Sequence, residues 1–238
     1  MPNYQHLNNV THQDIKVITK HNAELGDCVA SSLTFPTEYG NVHKEYPIFF
    51  RKDPETGEFY SITLFGFENG ENLFIQNQQW HANYIPAAIK KGPFLIGYSN
   101  NDDDQSAVIS IDMNSPRVNK TQGQAIFLAD GQISPYTEDI NSLLLSIHQG
   151  IEYSKAMFAA FNEYELIEAV TLTIKLDNGK EVQLQDNYTI QEEKLNQLDG
   201  QSLEKLNKTG FLQAAFLVAD SINNIKTLIA KKNAQLAQ

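Results

Sequence analysis

Polar and aromatic side chains that could hold a ligand cluster first in the stretch NQQWHANYIP. It contains the only tryptophan, Trp80, followed closely by His81 and Tyr84. Aromatic side chains with polar tips are common at ligand and protein contacts, although they also pack where a helix meets a sheet. We expect Trp80 and Tyr84 to flank a concave surface beside a sheet, where they and His81 would contact a ligand or a partner.

A second candidate is the stretch IDMNSPRV, which places Asp112 five residues before Arg117 across a Ser-Pro turn. The two opposite charges can pair and fix the turn. Alternatively, Arg117 could form a pocket for a carboxylate or a phosphate, because its planar guanidinium matches both groups. We predict that Asp112 and Arg117 belong to one charged cluster.

The remaining titratable residues form no local pattern that is typical of catalysis or metal binding. No two of the six histidines have the spacing of metal ligands on a helix. The run Asp102–Asp104 lacks the alternation, the glycine and the terminal glutamate of a calcium loop, so we expect a solvated hairpin tip. We predict no metal and no cofactor, and no catalytic residue can be assigned, because sites assembled from distant residues leave no local motif.

Composition restricts the class of partner. The chain has 238 residues, a formal net charge of -11 and a single cysteine, Cys28. An acidic protein repels nucleic-acid phosphates and anionic lipids, so we expect no nucleic-acid partner. The N-terminus lacks the basic start and apolar core of a signal peptide, and no window is apolar enough for a membrane span. We expect no membrane insertion and a cytoplasmic location.

The elements that must position these residues begin with strands. In YPIFFRKDPETGEFYSITLFGFENGENLFI, two aromatic and β-branched runs flank a Pro- and Gly-containing turn, which predicts a hairpin. A second turn, ENGEN, leads to a third run, so the stretch predicts a three-stranded antiparallel meander. Further hairpins are predicted around NNDDDQ and around the DG turn of QAIFLADGQIS, and a short helix is predicted within NYIPAAIKKGPF.

The second half of the chain is predicted to be mostly helical. Apolar residues recur at helical spacing through 137–162, and His148 borders that face, where we expect it to be partly buried. The stretch VTLTIKLDNGKEVQLQ predicts one hairpin, and the rest predicts two short helices and one long one after Gly210. The fold class is therefore α+β, with antiparallel meander and hairpins in the first half and helices plus one hairpin in the second. We expect a single domain over 1–238.

Several blocks of the sequence resemble the bacterial SapC family. They are the strand-rich stretch quoted above, then W-x-x-x-YIPA, IDMNSPRV, and G-x-x-x-F followed by DG. The closing blocks LDNGKEVQLQDNYTIQEEKLNQL, SLEKLNKTGFLQAAF and ADSINNIKTL resemble the same family. The resemblance runs from about Tyr46 to Leu228 and is weak over 1–45. One departure is Gly92 in IKKGPF, where the family pattern has an aromatic residue before the proline.

The resemblance implies the biological systems in which the protein takes part, and it implies no mechanism. The family takes its name from surface-layer protein systems, and its members occur near genes for TonB-dependent receptors, flavin-dependent halogenase-like proteins and cupin-like oxygenases. It brings no established catalytic residues. Three functions stay open: an accessory protein that binds a protein partner or a small molecule, a small enzyme using Asp112, Arg117 and a histidine, and a structural surface-layer component.

Overall fold

The computed structural model describes residues 1–98 and 107–237, so the predicted acidic turn at Asp102–Asp104 lies outside the described residues. The strands are β1 (Tyr4–His6), β2 (Lys16–Val17), β3 (Ser31–Leu33), β4 (Ile48–Lys52), β5 (Phe59–Leu64), β6 (Ile75–Gln76), β7 (Gln79–Trp80), β8 (Phe94–Tyr98), β9 (Ala107–Asp112), β10 (Val118–Asn119), β11 (Gln124–Ala125), β12 (Ile167–Lys175) and β13 (Glu181–Ile190). The helices are α1 (Tyr39–Val42), α2 (Ala87–Lys90), α3 (Pro135–Glu163), α4 (Glu192–Asn196), α5 (Gly200–Lys208), α6 (Phe211–Ser221) and α7 (Ile225–Leu236). This mixture of helices and antiparallel hairpins confirms the predicted α+β class.

The largest sheet is antiparallel and has the strand order β12-β13-β4-β5-β3. The predicted hairpin of β4 and β5 is confirmed, with Phe50 opposite Ser61. The predicted hairpin of β12 and β13 is also confirmed, and it joins the sheet where Tyr188 pairs with Phe50. The sheet therefore combines strands from both halves of the chain.

The predicted third strand of the meander is wrong. The chain after Phe74 does not pair with β5; β6 and β7 form a separate two-stranded hairpin instead. Its turn consists of Asn77 and Gln78, both in the left-handed region with φ of 50° and 58°, which reverses the chain within two residues. The free edge of β5 is covered by β3 from the N-terminal segment (residues 1–45), where no clear pattern predicts a strand.

The long helix α3 matches the predicted helix over 137–162. It begins after Ser134, whose Oγ accepts a hydrogen bond from the backbone N–H of Thr137, with Pro135 in the first turn. The predicted burial of His148 is wrong, since its side chain is exposed. Gly150 is the position that faces inward here, because a Cβ on it would lie 2.7 Å from Cβ of Phe35. Successive helix residues are about 100° apart, so His148, two positions before Gly150, lies on the opposite side of the helix and away from the core.

Two hydrophobic cores lie along α3. The C-terminal half packs on the large sheet, where the ring centroids of Phe158 and Phe50 are 5.0 Å apart. The N-terminal half packs through Ile140 and Leu144 on a smaller core. That core also contains residues of the small sheets β1-β9-β8 and β10-β2-β11, namely Val17, Phe94 and Ile111. The first turns of α3 therefore face the N-terminal segment, and the candidate site lies between them.

The C-terminal helices dock on the core that the large sheet forms with the C-terminal half of α3. Phe211, Ala215 and Val218 of α6 are buried, as is Ile225 at the start of α7. The predicted long helix is interrupted by a 3-10 turn over 222–224. No helix among residues 1–98 and 107–237 is long and apolar enough to cross a membrane.

Candidate ligand-binding cleft

Arg117 is a buried arginine that joins the N-terminal segment to the loop after β9. Its Nη2 lies 2.6 Å from both carboxylate oxygens of Asp27, and both side chains are only 5% exposed. Its Nη1 donates to the backbone carbonyls of Ile18 and Lys20 at 3.1 Å and 2.6 Å. The second Asp27 oxygen also accepts from the backbone N–H of Asn22 at 2.8 Å. Both charges are thus paired and hydrogen-bonded, as buried charges must be.

The predicted ion pair between Asp112 and Arg117 is wrong, because the carboxylate partner of Arg117 is Asp27. Asp112 instead accepts hydrogen bonds from the backbone N–H groups of Asn3 and Asn114, at 2.7 Å and 3.0 Å. Its carboxylate caps local backbone at the end of β9 and holds the N-terminus beside that strand. The Ser-Pro turn carries Arg117 away from Asp112 toward the N-terminal segment.

Two cavities border Arg117. The larger, which we call the Arg117 cleft, has a volume of about 830 Å³ and lies between β2, Lys90 and the first turns of α3. The smaller, the Asp112 cavity, has a volume of about 490 Å³ and is lined by Asp27, Asp112 and Arg117. Gly92 lines both cavities and adopts a φ of 56°, a conformation that other residues rarely take. Asp112 and Arg117 therefore share a cavity although they do not pair.

The walls of the Arg117 cleft combine apolar side chains with hydrogen-bond donors. Val17, Ile140 and Leu143 supply apolar surface. Tyr136, on the first turn of α3, supplies a phenol whose pKa burial raises to about 12, a rise that the nearby Arg117 guanidinium limits. The phenol consequently stays protonated at neutral pH and is available as a donor. Lys90 adds an exposed ammonium group.

His21 also lines the cleft, and its contacts indicate which ring nitrogen accepts a hydrogen bond. Its Nδ1 lies 3.2 Å from Nη2 of Arg117 and 3.5 Å from the nearer oxygen of Asp27. A guanidinium can only donate hydrogen bonds, so Nδ1 acts as the acceptor. The 3.5 Å separation from Asp27 is beyond the usual range for an N–H···O bond. In the neutral ring the proton is therefore on Nε2, which makes His21 another donor.

The Trp80 segment (residues 77–86) borders the cleft residues, because the rings of Trp80 and His21 pack edge-on with centroids 6.1 Å apart. Its polar groups are used within the protein. Trp80 Nε1 donates to the hydroxyl of Tyr46 at 2.9 Å, and the Tyr84 hydroxyl donates to Glu38 at 2.7 Å. Burial, and secondly the charge of Glu38, raise the pKa of Tyr84. The Trp80 ring packs edge-on against Phe65, with centroids 5.1 Å apart.

These contacts connect the Trp80 segment to α1, α2 and the large sheet. His81 is exposed, with Nε2 3.1 Å from the backbone carbonyl of Gln76. Trp80 and Tyr84 are half-buried, and the cavities bordering Arg117 are lined by other residues. A ligand or partner contact of Trp80, His81 and Tyr84 stays a prediction.

The residues that sequence reasoning missed are His21, Asp27, Lys90 and Tyr136. Asp27 is 90 positions from Arg117, and a pairing over that distance leaves no local spacing to recognise. Tyr136 directly precedes the predicted helix over 137–162, and no pattern marked it as a site residue. Among residues 1–98 and 107–237, no group of three or more His, Cys, Asp or Glu side chains is arranged to hold a metal ion.

Comparison with known proteins identifies a family for this chain. The sequence model described as SapC matches residues 7–228, and so includes most of the N-terminal segment in which the resemblance was weak. That segment provides β2, β3, His21 and Asp27, so the match includes the part of the chain that forms the cleft. No curated protein and no solved structure matches the chain.

Proposed function

The chain belongs to the SapC family, and we propose that it is a non-enzymatic accessory protein that binds a small organic acid in the Arg117 cleft. One observation carries the proposal. Donor groups from three separate segments, His21, Lys90 and Tyr136, line one cleft whose other walls are apolar. A ligand with an apolar body and an acidic end would satisfy both parts of such a site.

The volume and the donor groups of the Arg117 cleft support a small organic acid as its ligand. Small-molecule sites usually occupy ~300–1,000 Å³, and the cleft of about 830 Å³ falls within that range. The protein carries a net charge of -11, yet the cleft contains Lys90 and three neutral or paired donors. Asp139 is the one carboxylate among the residues that line the cleft, and it is exposed. The charges of Lys90 and Asp139 offset one another, so the preference for an anion depends on the donor groups of His21, Lys90 and Tyr136.

The second candidate is a small enzyme, which the convergence of His21, Asp27 and Arg117 favours. A histidine that acts as a general base beside a carboxylate donates Nδ1–H to that carboxylate and keeps Nε2 unprotonated. His21 has the opposite arrangement, because Nδ1 accepts from Arg117. The Nη1 and Nη2 groups of Arg117 already donate to two carbonyl groups, to Asp27 and to His21, so these groups support the cleft.

The setting of this binding function is proposed from the family resemblance. An accessory protein that binds a small acid would be linked to a TonB-dependent uptake system or a surface-layer system. We propose a cytoplasmic location and a single domain over 1–238. The exposed His81, together with Trp80 and Tyr84, is proposed as a contact with a protein partner.

A matched pair of probes tests the ligand class. We would titrate the protein with 4-phenylbutyrate and with 4-phenylbutylamine by calorimetry, since these probes share an apolar body and differ in the sign of their charge. We expect the acid to bind at least tenfold more tightly than the amine. Replacing Lys90→Gln should remove most of this preference, whereas Lys44→Gln, an exposed lysine elsewhere, should leave it unchanged.

Two further outcomes decide between the candidates. Equal affinity for the two probes, or an unchanged preference in Lys90→Gln, would contradict the proposed acid site. NMR spectra of each mixture recorded over a day would report conversion of either probe. Stable spectra are expected for a binding protein, and new signals would favour the enzyme.

A further inference from the structure

Arg117 has one hydrogen-bond donor that the described part of the protein leaves unused. Its Nη1 and Nη2 groups donate to carbonyl groups, to Asp27 and to His21, whereas Nε forms no hydrogen bond with a described residue. Only 4% of Arg117 is exposed. Buried donors in native proteins are nearly always paired, so an unpaired Nε–H in the wall of a cavity indicates an acceptor that comes from outside the chain.

The Nε atom of Arg117 borders open space. In the part of the chain that the structure describes, Thr189 Oγ1 is the one buried side-chain polar atom that is both fully occluded and unpaired. Nε is unpaired as well, and it is therefore not fully occluded. Arg117 and Gly92 line both the Arg117 cleft and the Asp112 cavity, so both cavities lie beside this side chain. A Cβ at Gly92 would lie 3.5 Å from Cδ of Arg117, the atom bonded to Nε, so the glycine leaves room beside the donor.

The acceptor that fits this donor best is a neutral oxygen. The charge of Arg117 is already balanced by Asp27 at 2.6 Å, and a carboxylate at Nε would also be repelled by that aspartate. Burying an ionised carboxylate is costly, whereas a buried carbonyl oxygen is satisfied by one donor. Lys90, by contrast, is exposed and lines the same cleft, so it can bind an acid that keeps part of its hydration.

We propose that the ligand of the Arg117 cleft is a carboxylic acid whose apolar body carries a ketone or amide carbonyl, and that Nε of Arg117 donates to this carbonyl oxygen while Lys90 binds the acid end. This inference rests on the proposed function and narrows its ligand class. Arg117 then has two roles, because its Nη groups hold the N-terminal segment and its Nε positions the ligand.

The test compares 4-phenylbutyrate with 4-oxo-4-phenylbutyrate and 2-oxo-4-phenylbutyrate, which add one carbonyl at either end of the same chain. Calorimetry gives the affinities, and ¹H–¹⁵N spectra of the full-length protein follow the Nε–Hε signals of the arginines. The sequence has only two arginines, Arg51 and Arg117. Nε of Arg51 donates to Asn187 at 3.4 Å and lines neither cavity, so Arg51 is an internal control, and Arg51→Lys assigns the two signals.

We expect at least one oxo acid to bind roughly threefold or more tightly than 4-phenylbutyrate, as for one added hydrogen bond. The same oxo acid should move the Hε signal of Arg117 downfield in a saturable way, because that proton becomes hydrogen-bonded. The signal of Arg51 should not move. With 4-phenylbutyrate, which has no carbonyl on its body, the signal of Arg117 should move less.

Two results would overturn this inference and leave the proposed function standing. If 4-phenylbutyrate binds and neither oxo acid moves the Arg117 signal, the acceptor of Nε is water. If 4-phenylbutyrate moves that signal as far as the oxo acids do, the carboxylate itself is at Nε and the body of the ligand needs no carbonyl. Failure of all three acids to bind would overturn both the inference and the proposed function.

Discussion

Replacing Arg117→Ala tests whether the Arg117–Asp27 pair supports the cleft. The change leaves the Asp27 carboxylate buried with one backbone donor and removes the donors to the Ile18 and Lys20 carbonyls. Breaking a buried ion pair by removing one partner costs about 3–5 kcal/mol. A domain has a total stability of roughly 5–15 kcal/mol, so the variant would lose a large part of it.

The assay is urea unfolding followed by circular dichroism, with thermal unfolding alongside. For a chain of this size each kcal/mol lowers the melting temperature by roughly 2–4 °C, so Arg117→Ala should melt roughly 6–20 °C lower. Asp112→Asn is the matched control. The amide oxygen can still accept from the N–H groups of Asn3 and Asn114, so its effect should stay within about 0.5 kcal/mol.

A double variant separates loss of charge pairing from loss of packing. Replacing both partners, as Arg117→Met with Asp27→Leu, removes the buried charges together, and such replacements are often neutral or stabilising. The double variant should therefore be more stable than Arg117→Ala. If Arg117→Ala were as mild as Asp112→Asn, or if the double variant were the least stable of the three, the argument from the buried pair would be refuted.

Three further predictions concern the fold. Burial raises the pKa of Tyr136 to about 12 from an ordinary value of 10.0, so the folded state holds this proton more tightly. The stability that Tyr136 contributes should be constant below pH 10 and be lost as the pH rises from 10 through 12. Urea unfolding at each pH should therefore show a smaller loss of stability over this range in Tyr136→Phe. Gly150→Ala should destabilise the fold by about 1–3 kcal/mol despite the better helix propensity of alanine, because its Cβ would lie 2.7 Å from Phe35. The control Gln149→Ala, at the exposed neighbouring position, should be neutral or stabilising. A Gly150→Ala variant as stable as the unchanged protein would contradict the close packing. Truncation after Gly210 should abolish soluble folding, since it removes the buried faces of α6 and α7; a truncated chain that melts like the full-length protein in calorimetry would show that these helices are an independent arm.

Local patterns predicted most of the elements. The β4–β5 and β12–β13 hairpins, α3 and the C-terminal helices follow from alternation, turn residues and helical periodicity, all of which act over short distances. The third strand of the meander was mispredicted because β-propensity does not specify the partner. Leu73 and Phe74 are buried in the main core, and the turn at 77–78 directs the next strand into its own hairpin.

The candidate site was predicted only in part, because local patterns do not indicate contacts between residues that are distant in the sequence. Arg117 was identified from its charge and its turn, but its partner Asp27 lies 90 positions away and carries no periodic signal. The Trp80 segment was identified from residue type. The indole N–H of Trp80 donates to the hydroxyl of Tyr46. The sequence does not indicate this pairing, because the two residues come together only in the folded chain.

The measurement that tests the central claim most directly is a crystal structure of the protein soaked with 4-phenylbutyrate. The account predicts the probe in the Arg117 cleft, with its carboxylate within about 2.7–3.2 Å of Lys90 Nζ or the Tyr136 hydroxyl and its ring against Ile140. The Arg117–Asp27 pair should remain intact beneath it. An empty cleft at a saturating concentration, or a probe bound at another surface, would contradict the account.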